Sequence, residues 1–190
     1  MTLVVSTHMK SNRWIQKSIS LLLLITLITT TSTFAQDQQV APLCLDAKYE
    51  KKVDSYLSYS IPVLGVEQLQ DNSSAFLILD ARPQEEYLVS HIPNAERIGF
   101  KDLDMDILNS VAKDTKIIVY CSIGYRSEKV GEKLKKKGFT QVYNLFGSVF
   151  EWANRGYPLV DAAGYPTTRV HTYNKKWSKW LTNDRYTKVY

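Results

Sequence analysis

The chain is 190 residues long, 44% hydrophobic, 12% aromatic and 23% charged, with 24 Lys and Arg against 19 Asp and Glu. That length suits one main domain with short extensions, and the composition supplies an ordinary apolar core, so a disordered or fibrous chain is excluded. The formal charge of +5 is unevenly spread: Lys10, Arg13 and Lys17 fall in the first 35 residues, where no acidic residue occurs. The remainder carries 21 basic against 19 acidic residues, which is not the balance of a nucleic-acid binder.

Residues 1–35 read as an export signal. The basic residues precede an apolar run, Ile19 to Ile28, and a Thr-rich stretch that ends at Thr33-Phe34-Ala35. A run of about ten residues is too short to span a bilayer and suits the core of a signal peptide. Small residues at Thr33 and Ala35 predict cleavage before Gln36, with Met9 an alternative start and an uncleaved anchor the competing reading. Ala41-Pro42-Leu43-Cys44 is a poor lipoprotein site, so the expected product is periplasmic or extracellular, without stable membrane insertion.

Residues 36–60 form an N-terminal extension with a helix predicted over Ala47 to Tyr59. Ile61 to Leu64 reads as a short edge strand and Val66 to Leu69 as a helical turn. Ala75 to Leu79 is continuously apolar, as a strand covered on both faces would be. Helices are expected over Gln84 to Val89, led by Pro83, and over Leu103 to Val111, with a short strand at Ala95 to Ile98 between them. Ile117 to Tyr120 is a β-branched strand, Ser127 to Lys137 a helix stopped by Gly138, Gln141 to Leu145 a strand and Ser148 to Arg155 a helix. Alternation through residues 61–160 predicts an α/β domain with a mainly parallel sheet flanked by helices. Residues 161–190 are rich in Tyr, Trp and Lys, with a helix predicted over Asn174 to Leu181, and read as an aromatic tail packing on the domain.

The informative stretch is the loop after Tyr120. Cys121 ends a strand, one glycine shapes the loop, and a helix follows, so loop N–H groups and the positive helix end favour an anion above the thiol. That field lowers a thiol pKa and frees the thiolate as a nucleophile. Cys44 and Cys121 are the two cysteines, and in an exported protein they also suit a disulfide; the loop favours Cys121 as a functional thiol. A Cys44–Cys121 disulfide that switches the protein off is a further expectation.

Cys121-Ser122-Ile123-Gly124-Tyr125-Arg126-Ser127 resembles the active loop C-x-x-G-x-R-S of the rhodanese family of sulfurtransferases. Leu77 to Arg82 with Glu85-Glu86-Tyr87, Ser90-His91-Ile92-Pro93-Asn94-Ala95, and the segment from Lys137-Gly138-Phe139 to Gly156-Tyr157-Pro158 resemble other family pieces in the same order. Ser90 and Asn94 stand where the family usually has glycine, and Ser148 replaces a common second glycine after Gly147; these sit in scaffold turns.

The resemblance implies a sulfurtransferase of the thiosulfate:cyanide type. Cys121 would be the nucleophile that carries a persulfide, with Ser122, Ile123, Gly124, Tyr125 and Arg126 around the substrate. Asp80 and Arg82 would form a supporting ion pair, and Ile123 and Tyr125 would project from the loop to set donor access. It implies no cofactor and no metal; the partners would be a small sulfur donor, thiosulfate or a persulfide, and a thiol or cyanide-type acceptor. His91 reads as a hydrogen-bonded scaffold residue, and Glu67, Glu85 and Glu86 as helix solvation. The alternatives are a non-catalytic binding module on the same fold, and a Cys-dependent phosphatase or arsenate reductase. The latter usually has five residues between Cys and Arg, where this chain has four.

Overall fold

A computed structural model describes residues 42–190, so the expectations for the signal segment and for residues 36–41 lie outside the described residues. The first element is helix α1 (Ala47–Asp54), capped by Asp46, whose carboxylate accepts from the N–H groups of Lys48 and Tyr49. It stops five residues short of the predicted end. Beyond it the backbone N–H groups of Ser58 and Ser60 are taken by the Glu128 carboxylate, at 3.0 Å each, and Tyr59 lies at φ 55°. Bonds to a distant side chain outcompete the local helical pattern there.

Strand β1 (Val63–Leu64) and helix α2 (Val66–Asp71) follow, then β2 (Leu77–Asp80), α3 (Gln84–Val89), β3 (Glu96–Arg97) and β4 (Ile117–Tyr120). Helix α4 (Tyr125–Lys136), β5 (Val142–Leu145) and α5 (Ser148–Asn154) complete the alternation. The five strands pair in the order β1-β5-β4-β2-β3, all parallel, with Ile78 opposite Ile118 and Val119 opposite Asn144. The α/β class with a mainly parallel sheet is therefore observed.

Alternation along the strands divides the core into two layers. Ile78, Ile118, Tyr120 and Leu145 face α1, α2 and α5, which contribute Tyr49, Val66, Phe150 and Trp152. Leu79, Ile117, Val119 and Val142 face α4, which contributes Val130 and Leu134. The chain leaves β2 toward the first layer, through Ile92, and leaves β4 toward the second. The carboxyl ends of these adjacent strands thus open a crevice where the winding reverses, the customary ligand position of such sheets.

Two predicted helices are absent. Leu103 to Val111 contains only a 3-10 turn, Asp106–Leu108, because the Asp104 side chain accepts the Asp106 N–H and draws the backbone into a turn. Asn174 to Leu181 contains only Ser178–Trp180, since Asn174 captures the N–H groups of Lys176 and Trp177 and Asn154 binds Trp180 O and the Thr182 N–H. That turn lies between two strands absent from the prediction, β6 (Arg169–His171) and β7 (Thr187–Val189), which pair in parallel. Leu181 and Tyr186 are buried in the first layer and Trp177 and Trp180 pack against it, so the tail is part of the domain's core.

Candidate active site

Cys121 stands one residue past β4 on the second-layer face, 1% exposed, at the base of a cavity of about 660 Å³. Gly124 turns the loop at φ 124°, a conformation L side chains rarely adopt, and thereby aims its own N–H at Cys121 Sγ, 3.2 Å away. Helix α4 begins at Tyr125, two residues earlier than its sequence pattern indicated, and this brings its positive end closer to the sulfur. Burial raises the thiol pKa, but the Arg126 guanidinium and the N–H groups of Ser127, Gly124 and Ile123 outweigh it, and the thiol lies below its ordinary value.

The loop is held from behind by two elements, α5 and β5. Ser148 Oγ accepts the Cys121 N–H at 3.1 Å and donates to Leu145 O at 3.0 Å. The Val149 and Phe150 N–H groups, in the first turn of α5, donate to the Cys121 and Ser122 carbonyls. On β5, buried Asn144 donates to Gly124 O at 3.0 Å and accepts from Ser127 Oγ at 2.7 Å. Ser148 sits at φ 51°, so the serine in the glycine-like position does more than fill a scaffold turn: its strained backbone presents the hydroxyl to Cys121.

Arg126 does not face open solvent. Its guanidinium forks onto buried Glu86, with Nη1 and Nη2 at 2.8 and 2.9 Å from the two carboxylate oxygens, and Nη2 also donates to Ser122 Oγ at 2.8 Å. Glu86, expected as a solvated helix residue, is thus the buried counter-charge of the loop arginine. Its neighbour Glu85 lines the cavity, while Glu67 is exposed and pairs with Arg155.

Asp80 and Arg82 lie beside the loop, both fully buried and bonded bidentately, with the closest approach 2.6 Å; Arg82 also donates to Ser90 O. Ile123 lines the cavity but is largely buried in the first layer, so it does not project as expected, whereas Tyr125 is exposed at the rim. His91 approaches Tyr87 O through Nδ1 at 3.2 Å and stacks on the Tyr87 ring.

Cys44 and Cys121 are both free thiols, in line with the reading that the loop favoured over a disulfide between them. The two pack in different core layers. Burial, followed by Glu151 and Glu50, pushes the Cys44 thiol well above its ordinary range, so it stays protonated. Among the described residues no three His, Cys, Asp or Glu side chains converge as a metal-binding set.

The rhodanese-like domain pattern matches residues 65–155, the stretch that carries the parallel sheet and this loop. The chain belongs to the rhodanese-like family. It is 34% identical over 122 residues to a tRNA uridine(34) hydroxylase of Aster yellows witches'-broom phytoplasma, covering 60% of this chain and 39% of that protein. It is 31% identical over 99 residues to a Bacillus subtilis protein named as a sulfur carrier, covering 50% and 53%. A rhodanese-like domain protein from Staphylococcus aureus, known by crystal structure, is 30% identical over 48% of this chain and 91% of that one, with a TM-score of 0.42. The chain spans about a third to a half of the length of the curated relatives it matches. Rhodanese-like domains serve sulfur transfer in general.

Sequence reasoning assigned Glu86 to helix solvation and Ser148 to a scaffold turn, and missed Asn144. Asn144 was detectable in principle: an amide inside the apolar run Val142 to Leu145 needs a buried partner. It also missed Tyr56, Phe100, Tyr173 and Trp177, which line the cavity with Tyr125. These belong to separate segments that no local pattern joins.

Proposed function

We propose that this protein transfers sulfane sulfur from thiosulfate or a persulfide to a thiophilic acceptor through a persulfide on Cys121. The Cys121 thiolate attacks the outer sulfur of thiosulfate, the S–S bond breaks, and sulfite departs with the bonding pair. The new terminal sulfur carries the negative charge beside the loop N–H groups, and an acceptor thiolate or cyanide then removes that sulfur and returns the thiolate. The observation that carries this reading is the Gly124 N–H aimed at Cys121 Sγ at 3.2 Å, within a loop whose charges lower the thiol pKa.

Arg126 acts here chiefly as an electrostatic brace. Its charge favours the thiolate, while Glu86 occupies both of its terminal nitrogens. A tetrahedral phosphate would have to displace that carboxylate, which weighs against phosphatase chemistry. Export by the segment 1–35 belongs to the same proposal, and the site of work is then periplasmic or extracellular.

Intact mass before and after thiosulfate tests it, together with thiocyanate release from cyanide. The wild type gains one sulfur atom and forms thiocyanate, and Cys121→Ala does neither. Aryl phosphate turnover without sulfur gain overturns the proposal. The same spectrum of protein recovered from the envelope fraction reports whether the chain starts at Gln36.

A further inference from the structure

The family match covers residues 65–155, yet three of the rings around the cavity lie outside it. Tyr56 follows α1, Tyr173 follows β6, and Trp177 precedes the 3-10 turn of the tail. Tyr56 meets Trp177 edge-on at 5.5 Å and Tyr125 at 6.5 Å, and Tyr173 covers the Arg126 guanidinium at 5.5 Å. We propose that these rings form a subsite for the organic body of the sulfur donor, a thiosulfonate or persulfide with a flat aromatic group, whose anionic sulfur end reaches Cys121. This rests on the sulfur-transfer reading above and names the donor class.

Four observations support it. A cavity of about 660 Å³ lies in the size range of sites for organic ligands and far exceeds a thiosulfate ion. Tyr56, Tyr125 and Tyr173 are exposed aromatic side chains, and they gather around one cavity. Scattered exposed apolar groups are ordinary, but a cluster at a nucleophile marks a binding surface. Tyr173 is held at φ 65°, a conformation unfavourable for its residue type, and in it the ring lies over Arg126.

The fourth observation is charge. Arg126 is neutralised by Glu86 and covered by Tyr173; Asp102, also in the lining, is paired with Arg97, and Glu85 is balanced in charge by Lys101. A rim whose charges balance offers no surplus of positive charge to a bulky polyanion. A donor with a single negative charge at its sulfur end and an uncharged ring at the other matches both ends of the site. For a thiosulfonate, Cys121 Sγ bonds to the terminal sulfur, the S–S bond breaks, and the sulfinate leaves with the electron pair; a persulfide releases its thiolate instead. Either transfer balances without an added oxidant or reductant.

The test compares kcat/KM for benzenethiosulfonate and methanethiosulfonate, with cyanide as acceptor. The ratio is divided by the rate ratio of the same compounds with a small free thiolate, which removes intrinsic leaving-group differences. The expected normalised preference for the arene is about tenfold or more, the usual worth of added apolar contacts in a pocket. In Tyr173→Gly, which suits the local backbone, and in Trp177→Leu the preference falls at least about threefold through KM, and Tyr173→Phe restores it. A wild-type preference near one, or one unchanged in both variants, overturns the subsite. If thiosulfate charges Cys121 while the preference is near one, only the subsite fails; if no donor charges Cys121, the sulfur-transfer reading fails with it.

Discussion

The floor of the cavity and its rim are built in opposite ways. On the floor Cys121 and Ser122, and behind it Ser127, Asn144 and Ser148, are buried and their polar groups are committed to named partners on β5, α3, α4 and α5. At the rim, Tyr56, Tyr125 and Tyr173 stand 40–54% exposed and touch one another or Arg126 through ring faces and edges. Each buried hydrogen bond contributes only about 1 kcal/mol net, yet leaving its partner unpaired costs up to about 3 kcal/mol. The floor therefore responds as a unit, and the rim residue by residue. Reactivity resides where single changes are expensive, and substrate choice where they are cheap.

Substitutions can break or sharpen that contrast. The largest effect is expected for Cys121→Ser, which should lower sulfur-transfer turnover about a thousandfold or more with the fold intact by circular dichroism. Next comes Asp80→Asn: unpairing fully buried Arg82 should cost about 3 kcal/mol, seen as a fall in Tm of about 10 °C. A rim-like response there, under about 2 °C, would erase the distinction.

A pH profile of alkylation examines the floor's charge. Because Arg126 and the loop N–H groups depress the Cys121 pKa, its thiolate persists below the ordinary cysteine range, and reactivity falls only at lower pH. Arg126→Gln should move that midpoint upward, and Cys44 should stay unlabelled until the protein unfolds. Ser127→Ala removes the donor to Asn144 Oδ1 and should cost about 1–2 kcal/mol, a Tm loss of about 3–6 °C. The smallest effect belongs to the rim: Tyr125→Ala should change stability by less than about 0.5 kcal/mol in the same melt.

The sequence disclosed what repeats locally and hid what closes over distance. Continuous apolar runs at Ile78 and Ile118 and the loop from Cys121 to Ser127 carry short-range signals, and sheet class and loop position were legible from them. Glu86 was not, since Glu85 and Glu86 are adjacent acids on one short helix and only tertiary packing decides which meets Arg126, 40 positions away. Asp104 and Asn174 show the opposite failure. Apolar spacing promised helices there, and a side chain bonding its own backbone produced turns. Tyr56 and Trp177 are separated by 121 positions, and no periodicity predicts that their rings meet.

Helix α5 has two ends with two duties. Its first N–H groups hold the carbonyls of Cys121 and Ser122; near its last turn, Asn154 bonds Trp180 and Thr182, and Asn183 bonds the Ala153 and Asn154 carbonyls. The tail and the nucleophile loop are therefore joined in series through seven residues of helix. A graft of residues 65–155 alone into another host would carry over every atom of the thiol's cradle but leave that helix without its anchor at the far end. The transplantable unit runs to the last strand.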